Sequence, residues 1–344
     1  MRATVLTDKA LVKHAGRFVW LSIDTENEAN AAFLGAYPWS AVPTFDVIDP
    51  KTEAIAYQWL GAVDAPELIR RFDEAETACR RTDAKTAALP SSPDTAVVAL
   101  SMANDFAGCS QRALELLPTL PPASVKASVA STGLDCALSA PEGAPWRAEA
   151  LTRLEAATRE ALTYAGLLDD DRSALYGSLV DARDRQHDDA GGKTMALAWL
   201  DWLDVQAKTA PSVEARAALD GYRVSAAVRA GAPERVLATI EKSERELPKD
   251  YNPPARLAIV LRELGRYDQA LAASDRALLL VYGPRKLVLL DARATILEKK
   301  GDPQGAKATL QQALDYSGTL PATQRPKNMI AKIKKRLGQV GPAD

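Results

Sequence analysis

The chain has 344 residues, 47% of them apolar and 26% charged, with 43 basic and 45 acidic side chains and a formal net charge of −2. That length fits two domains, the apolar share excludes a disordered chain, and near-neutrality excludes a general pull toward nucleic acid or anionic membrane. No apolar run approaches the ~18 residues of a membrane-spanning helix, and an aromatic share of only 6% beside abundant alanine favours close-packed helices over a β-sandwich.

In chain order, Thr7-Asp8 is a predicted N-cap for a helix that reaches His14 and ends at Gly16. Phe18–Ile23 is almost continuously apolar, the pattern of a parallel strand covered on both faces, and it ends on Asp24. A short helix over Glu26–Leu34 comes next, with Glu26 and Glu28 in the first turn where the helix dipole favours acids. Tyr37-Pro38 and then Val42-Pro43-Thr44 lead into a second predicted strand, Phe45–Ile48, closed by an Asp49-Pro50 turn. Proline has no N–H and suits the mouth of a strand, and a native cis X-Pro bond is a recurrent feature of such places. Thr52–Trp59 with Gly61 completes a hairpin, and Asp64–Ala75 is a helix.

These residues, in this order, resemble the second half of a thioredoxin-fold domain, and the resemblance covers residues 1–78. It implies that Val42-Pro43-Thr44 is the family's cis-proline loop. It also implies that Trp39, Val42, Pro43 and Thr44 flank a groove for an extended substrate. The family's Cys-x-x-Cys and first strand would precede Met1, since Met1 to Asp8 resembles the stretch just after the second cysteine in one branch of the family. The chain as written is therefore expected to perform no thiol–disulfide catalysis.

The three cysteines, Cys79, Cys109 and Cys136, have neither Cys-x-x-Cys nor zinc-type spacing. They are predicted to be buried free thiols, with a structural disulfide as the alternative. His14 and His187 are predicted to be surface or packing residues, and no metal or cofactor is expected. No basic start followed by a 7–15-residue apolar core opens the chain. A cytoplasmic location is the default expectation, and a periplasmic or secreted one applies if the natural chain starts earlier.

Residues 79–94 form a predicted linker, polar and marked by Pro90 and Pro93. From residue 95 to 340 apolar residues recur at helical spacing. Helices are predicted over Thr95–Phe106, Ser110–Leu117, Ala123–Leu138, Trp146–Ala165, Ser173–Gln186 and Lys193–Lys208. Asp169-Asp170-Asp171 is predicted to cap a helix, and Asp188–Gly192 to be a loop.

Beyond them lies an internal repeat. Gly231, Gly265 and Gly301 stand 34 and 36 residues apart, each between two amphipathic stretches. Leu257-Ala258, Leu261, Gly265, Tyr267, Ala270, Ala277-Leu278 and Pro284 resemble the tetratricopeptide pattern, and the copies on either side are degenerate. The glycines allow tight turns and the alanines close helix approach. Such repeats bury their faces only against neighbours, so the upstream helices are expected to continue the stack. The last predicted helix, Thr323–Leu337, carries six cations and no acid and is expected to cap the stack.

The predicted architecture is thus a thioredoxin-like α/β domain followed by an all-α, tetratricopeptide-like solenoid. The expected function is protein or peptide binding, as an adaptor or chaperone-like protein in a redox or protein-quality context, with no small-molecule ligand. Two alternatives stand beside it. One is a thiol–disulfide oxidoreductase whose paired cysteines lie upstream of Met1; the other is a purely structural repeat protein.

Overall fold

Thr44–Ile48 (β1) and Ile55–Leu60 (β2) pair antiparallel in a computed structural model that describes residues 5–37, 39, 42–80 and 93–338. Thr44 faces Leu60 and Val47 faces Tyr57, with an irregularity after Val47. Asp49 accepts the Lys51 N–H at 2.8 Å, and Glu53 takes a positive φ of 56° to turn the hairpin. The Val42–Pro43 peptide is cis, and the Gly61 N–H donates to the Pro43 carbonyl at 2.9 Å. Helix α2 (Ala65–Arg80) starts on Asp64, whose carboxylate accepts the Glu67 N–H at 2.8 Å. It buries Leu68, Phe72 and Ala75 against Tyr57, Trp59 and Val63, and Phe45 stacks on Trp59 at 4.6 Å.

Among the described residues this two-stranded sheet is all the β-structure, which falls short of the thioredoxin-like α/β domain expected over 1–78. The strand expected at Phe18–Ile23 is not formed, and Val19 is 90% exposed. No described strand pairs with Phe18–Ile23, and without a neighbouring strand a run of apolar residues has no ladder to join. The helix expected at Glu26–Leu34 begins later, as a 3-10 turn at Glu28–Asn30 and then α1 (Ala31–Ala36). The N-terminal helix is likewise two 3-10 pieces, Val5–Thr7 and Lys9–His14, the second capped by Asp8. Residues 81–92 of the expected linker, with Met1–Thr4 and Pro38, lie outside the described residues.

The chain forms two units, one of Met1–Val19 and Trp39–Trp202, the other of Trp20–Pro38 and Leu203–Asp344. In the first, the hairpin and α2 precede α3 (Pro93–Met102), α4 (Phe106–Leu116), α5 (Ser124–Ser139), α6 (Arg147–Ala161), α7 (Asp169–Arg185) and the first part of α8 (Asp189–Thr209). The helix expected to run to Phe106 stops at Met102 as α3, because Asn104 takes φ 57° and Asp105 caps α4 by accepting the Gly108 N–H. Val97, Ala113, Val129, Leu134, Leu154 and Leu179 make the core here. Gly133 lets α4, α5 and α6 close up. A Cβ there would meet the Ala113 Cβ at 2.5 Å and a Leu154 methyl at 2.9 Å. Cys109 on α4 and Cys136 on α5 are joined in a disulfide inside this core, which corrects the expectation of free thiols at those two positions. Cys79 is a free thiol.

Asp171, at the start of α7, carries a pH signature. One carboxylate oxygen, Oδ2, is buried without a partner. Burial pushes this carboxyl up to about 7, against a bond from Ser124 and with help from neighbouring Asp170 and Asp94. The folded chain therefore binds a proton that the unfolded chain has released. That contribution is complete below the ordinary carboxylate pKa and is lost as pH rises through the folded value. Asp171→Asn should be near-neutral at about pH 4 and stabilising by about 1–3 kcal/mol at about pH 8. Urea unfolding at the two pH values checks this, and a difference between the proteins that does not change with pH would contradict it.

The second unit holds the repeats. After α9 (Val213–Ala218) come the hairpins α10 (Asp220–Ala230) with α11 (Glu234–Glu246), α12 (Asn252–Glu263) with α13 (Tyr267–Leu280), and α14 (Arg285–Lys300) with α15 (Pro303–Thr319). Helix α16 (Lys327–Arg336) packs on α14 and α15. Gly231, Gly265 and Gly301 lie in the three inter-helix turns with φ of 71°, 70° and 86°. In each turn the residue after the glycine donates its N–H to a carbonyl five residues back: Ala232 to Ala227, Arg266 to Leu261 and Asp302 to Leu297, at 2.8–2.9 Å. Pro303 occupies the first turn of α15, where no N–H is needed. Ala258, Ala270, Ala277, Ala294, Ala306 and Ala313 are all buried where helices touch. Lys332 and Arg336 of α16 pair with Asp291, and Arg336 also with Glu298, so part of that helix's positive charge is spent inside the stack.

Candidate functional site

The second unit presents a polar cavity of about 680 Å³, and its walls come from α8, α9, α10 and α11. Asp220 at the start of α10 is fully buried. It accepts a 2.6 Å bond from the Ser243 hydroxyl of α11 and pairs with Arg223 one turn on, at 3.4 Å. Burial raises the Asp220 carboxyl, while Ser243 and the guanidinium groups of Arg223, Arg256 and Arg216 oppose that rise. Arg223 also donates to Asp204 of α8 at 2.7 and 3.0 Å, and Arg235 reaches the other Asp204 oxygen at 2.9 Å. Arg216 from α9 pairs with Glu246 and donates to Ser243. Behind the cavity, Arg256 donates to the Ala217 carbonyl at 2.9 Å, and burial lowers its pKa. Lys208 and Lys242 stand at the exposed rim.

This is a pre-ordered floor of alternating charges under a cationic rim. Its lining holds the carboxylates of Asp204 and Glu246 among four cations and contains no histidine or cysteine. No group of three or more His, Cys, Asp or Glu among the described residues could hold a metal ion. No helix among them is long and apolar enough to cross a membrane. Such a surface can recognise polar and charged groups of another chain. Sequence alone does not reveal it, because its members are scattered from Asp204 to Glu246 and only the hairpin stacking converges them.

The residues expected to form a substrate groove lie in the first unit. Thr44 opens β1, Pro43 precedes it, and Val42 and Trp39 are exposed. The cysteine chemistry there is poor. Burial first, then the charges of Asp49 and Glu76, push the Cys79 thiol up, away from the reactive thiolate. The repeat glycines, by contrast, belong to turns and touch neither this cavity nor the smaller one beside Tyr282.

Residues 251–317 match the family model of the tetratricopeptide repeat. The matched span runs from the residue before α12 to near the end of α15. No curated protein matches the chain. A tetratricopeptide match suggests protein–protein interaction, and here it covers only α12–α15 of a mostly helical chain.

Proposed function

We propose that the protein is a binding adaptor that holds protein segments on its helical repeats, with the charged cavity over α8–α11 as a docking surface. The three identically capped hairpins, and the match of α12–α15 to the tetratricopeptide repeat beside the hairpin α10–α11, support this reading. The exposed Val42 and Trp39 beside β1 offer a second, smaller surface, in keeping with the resemblance of Pro43, β1, β2, Gly61 and α2 to the back half of a thioredoxin-like fold. Main-chain groups along a strand edge can accept an extended segment there by β-addition. Thiol–disulfide exchange by this chain's own residues is disfavoured, because burial pushes the Cys79 thiol up and Cys109–Cys136 is enclosed in a helical core.

The test places a photo-crosslinking residue at Lys242, at Val42, or at exposed Arg153 on α6 as a reference. Protein adducts should form from Lys242, and at lower yield from Val42, well above the Arg153 background. Equal labelling from all three positions would refute the assignment.

A further inference from the structure

The second unit includes a stretch of chain from far away in sequence. Residues Trp20–Pro38 belong to it, although the rest of the unit begins at Leu203. The fit is specific. The Tyr282 hydroxyl donates to Asp24 Oδ2 at 2.5 Å. The Arg285 backbone N–H, at the first residue of α14, donates to Glu26 Oε2 at 2.6 Å, and the Arg285 guanidinium lies 3.6 Å from the other Glu26 oxygen. One amide reads the main chain on either side of Glu26: Gln324 Nε2 donates to the carbonyls of Thr25 and Asn27, both at 2.9 Å. Thr323 donates to the Ala31 carbonyl at 3.2 Å.

Three further features mark a built receptor rather than a chance contact. Gln324 is only 6% exposed, its Oε1 is buried without a hydrogen-bond partner, and the residue lines a cavity of about 630 Å³ together with Tyr282, Tyr316, Pro321 and Glu26–Glu28 of the segment itself. Gly283 has φ +60°, and a Cβ there would lie 2.2 Å from the Glu26 carbonyl oxygen, so only glycine permits both the turn and the approach. The segment is also pre-shaped by itself. Asp24 accepts the Glu26 N–H at 2.9 Å, and Asn30 donates to the Asp24 carbonyl at 2.9 Å. An α14 N-terminus facing a carboxylate is electrostatically favourable.

We infer that the surface formed by Tyr282, Gly283, the α14 N-terminus and Gln324 is a receptor for acidic segments folded into a tight turn with carboxylates two residues apart, occupied in cis by Asp24–Asn30. The inference rests on the protein-binding reading of the repeats and adds a second site with its own ligand chemistry. A partner bearing the Asp-x-Glu pattern competes with the tethered segment, whose linkage gives it a millimolar-scale effective concentration. Occupancy in cis therefore weakens apparent binding in trans by the fraction of receptor left open.

The experiment measures fluorescence anisotropy of a labelled peptide of residues 22–37 against three full-length proteins. The wild type should bind weakly. Asp24→Ala/Glu26→Ala, which loosens the tethered copy, should bind at least about tenfold more tightly. Adding Gln324→Ala to that variant should remove the gain. Hydrogen exchange on the wild type gives a readout free of substitutions: excess peptide should speed amide exchange over residues 24–34. Equal peptide affinity for wild type and loosened variant, or no change in exchange, would overturn the inference. Crosslinking at Lys242 would be unaffected by that failure, since it lies in the other cavity.

Discussion

Replacing Cys109 and Cys136 together with alanine should lower the stability of the first unit by about 3–4 kcal/mol. The two cysteines are 27 residues apart, and the link removes the freedom of that loop from the unfolded chain. Both sulfurs lie in the core between α4 and α5, with Cys109 0% and Cys136 1% exposed. The alanine pair therefore loses buried volume as well as the link. Burial also shields the bond, because an attacking thiolate needs access to a sulfur. A reductant should act on the native protein slowly and on the urea-unfolded protein quickly. Denaturation with and without reductant, beside the double variant, checks both parts. An unchanged midpoint in the variant would show that α4 and α5 do not depend on the link.

Arg223→Met should cost the second unit about 3 kcal/mol or more, as expected when one partner leaves a buried charge network. The arginine serves two carboxylates, Asp220 inside and Asp204 at the cavity, and Arg235 reaches only the latter. Without Arg223, burial would raise Asp220 further, so the folded state would favour its protonated form more strongly. The penalty should therefore grow as pH rises through that raised value and shrink in acid. Urea unfolding in mild acid and at neutral pH measures the difference. Asp220→Asn combined with Arg223→Met should recover part of the loss at neutral pH. If the double variant is no better than Arg223→Met there, the damage comes from lost packing and not from an uncompensated charge.

The repeats were legible because backbone geometry demands particular residues. A left-handed turn between paired helices selects glycine, and close helix contact selects alanine, so Gly231, Gly265, Gly301 and their alanines write the architecture into the chain. The disulfide was not legible. Pairing depends on α4 and α5 folding back on each other, and the separation of Cys109 and Cys136 says nothing about that; Gly133, small beside Ala113, was the one available hint. Phe18–Ile23 misled because apolar content signals burial only where a partner exists, and here Val19 faces solvent. The receptor for Asp24–Asn30 was invisible for a related reason. Its halves are some 258 residues apart, and Tyr282 and Gln324 carry no pattern that names their ligand. The charged cavity shares that limit, since Asp204, Arg223 and Ser243 look like ordinary surface polar residues until the hairpins stack.

The three matching turns of the second unit have an evolutionary implication. Each is closed by the same pair of main-chain bonds around one glycine, and each hairpin leans on its immediate neighbours in the series. A copying event that inserted one more hairpin into the series would meet compatible joints on both sides. The array can thus lengthen or shorten in whole steps.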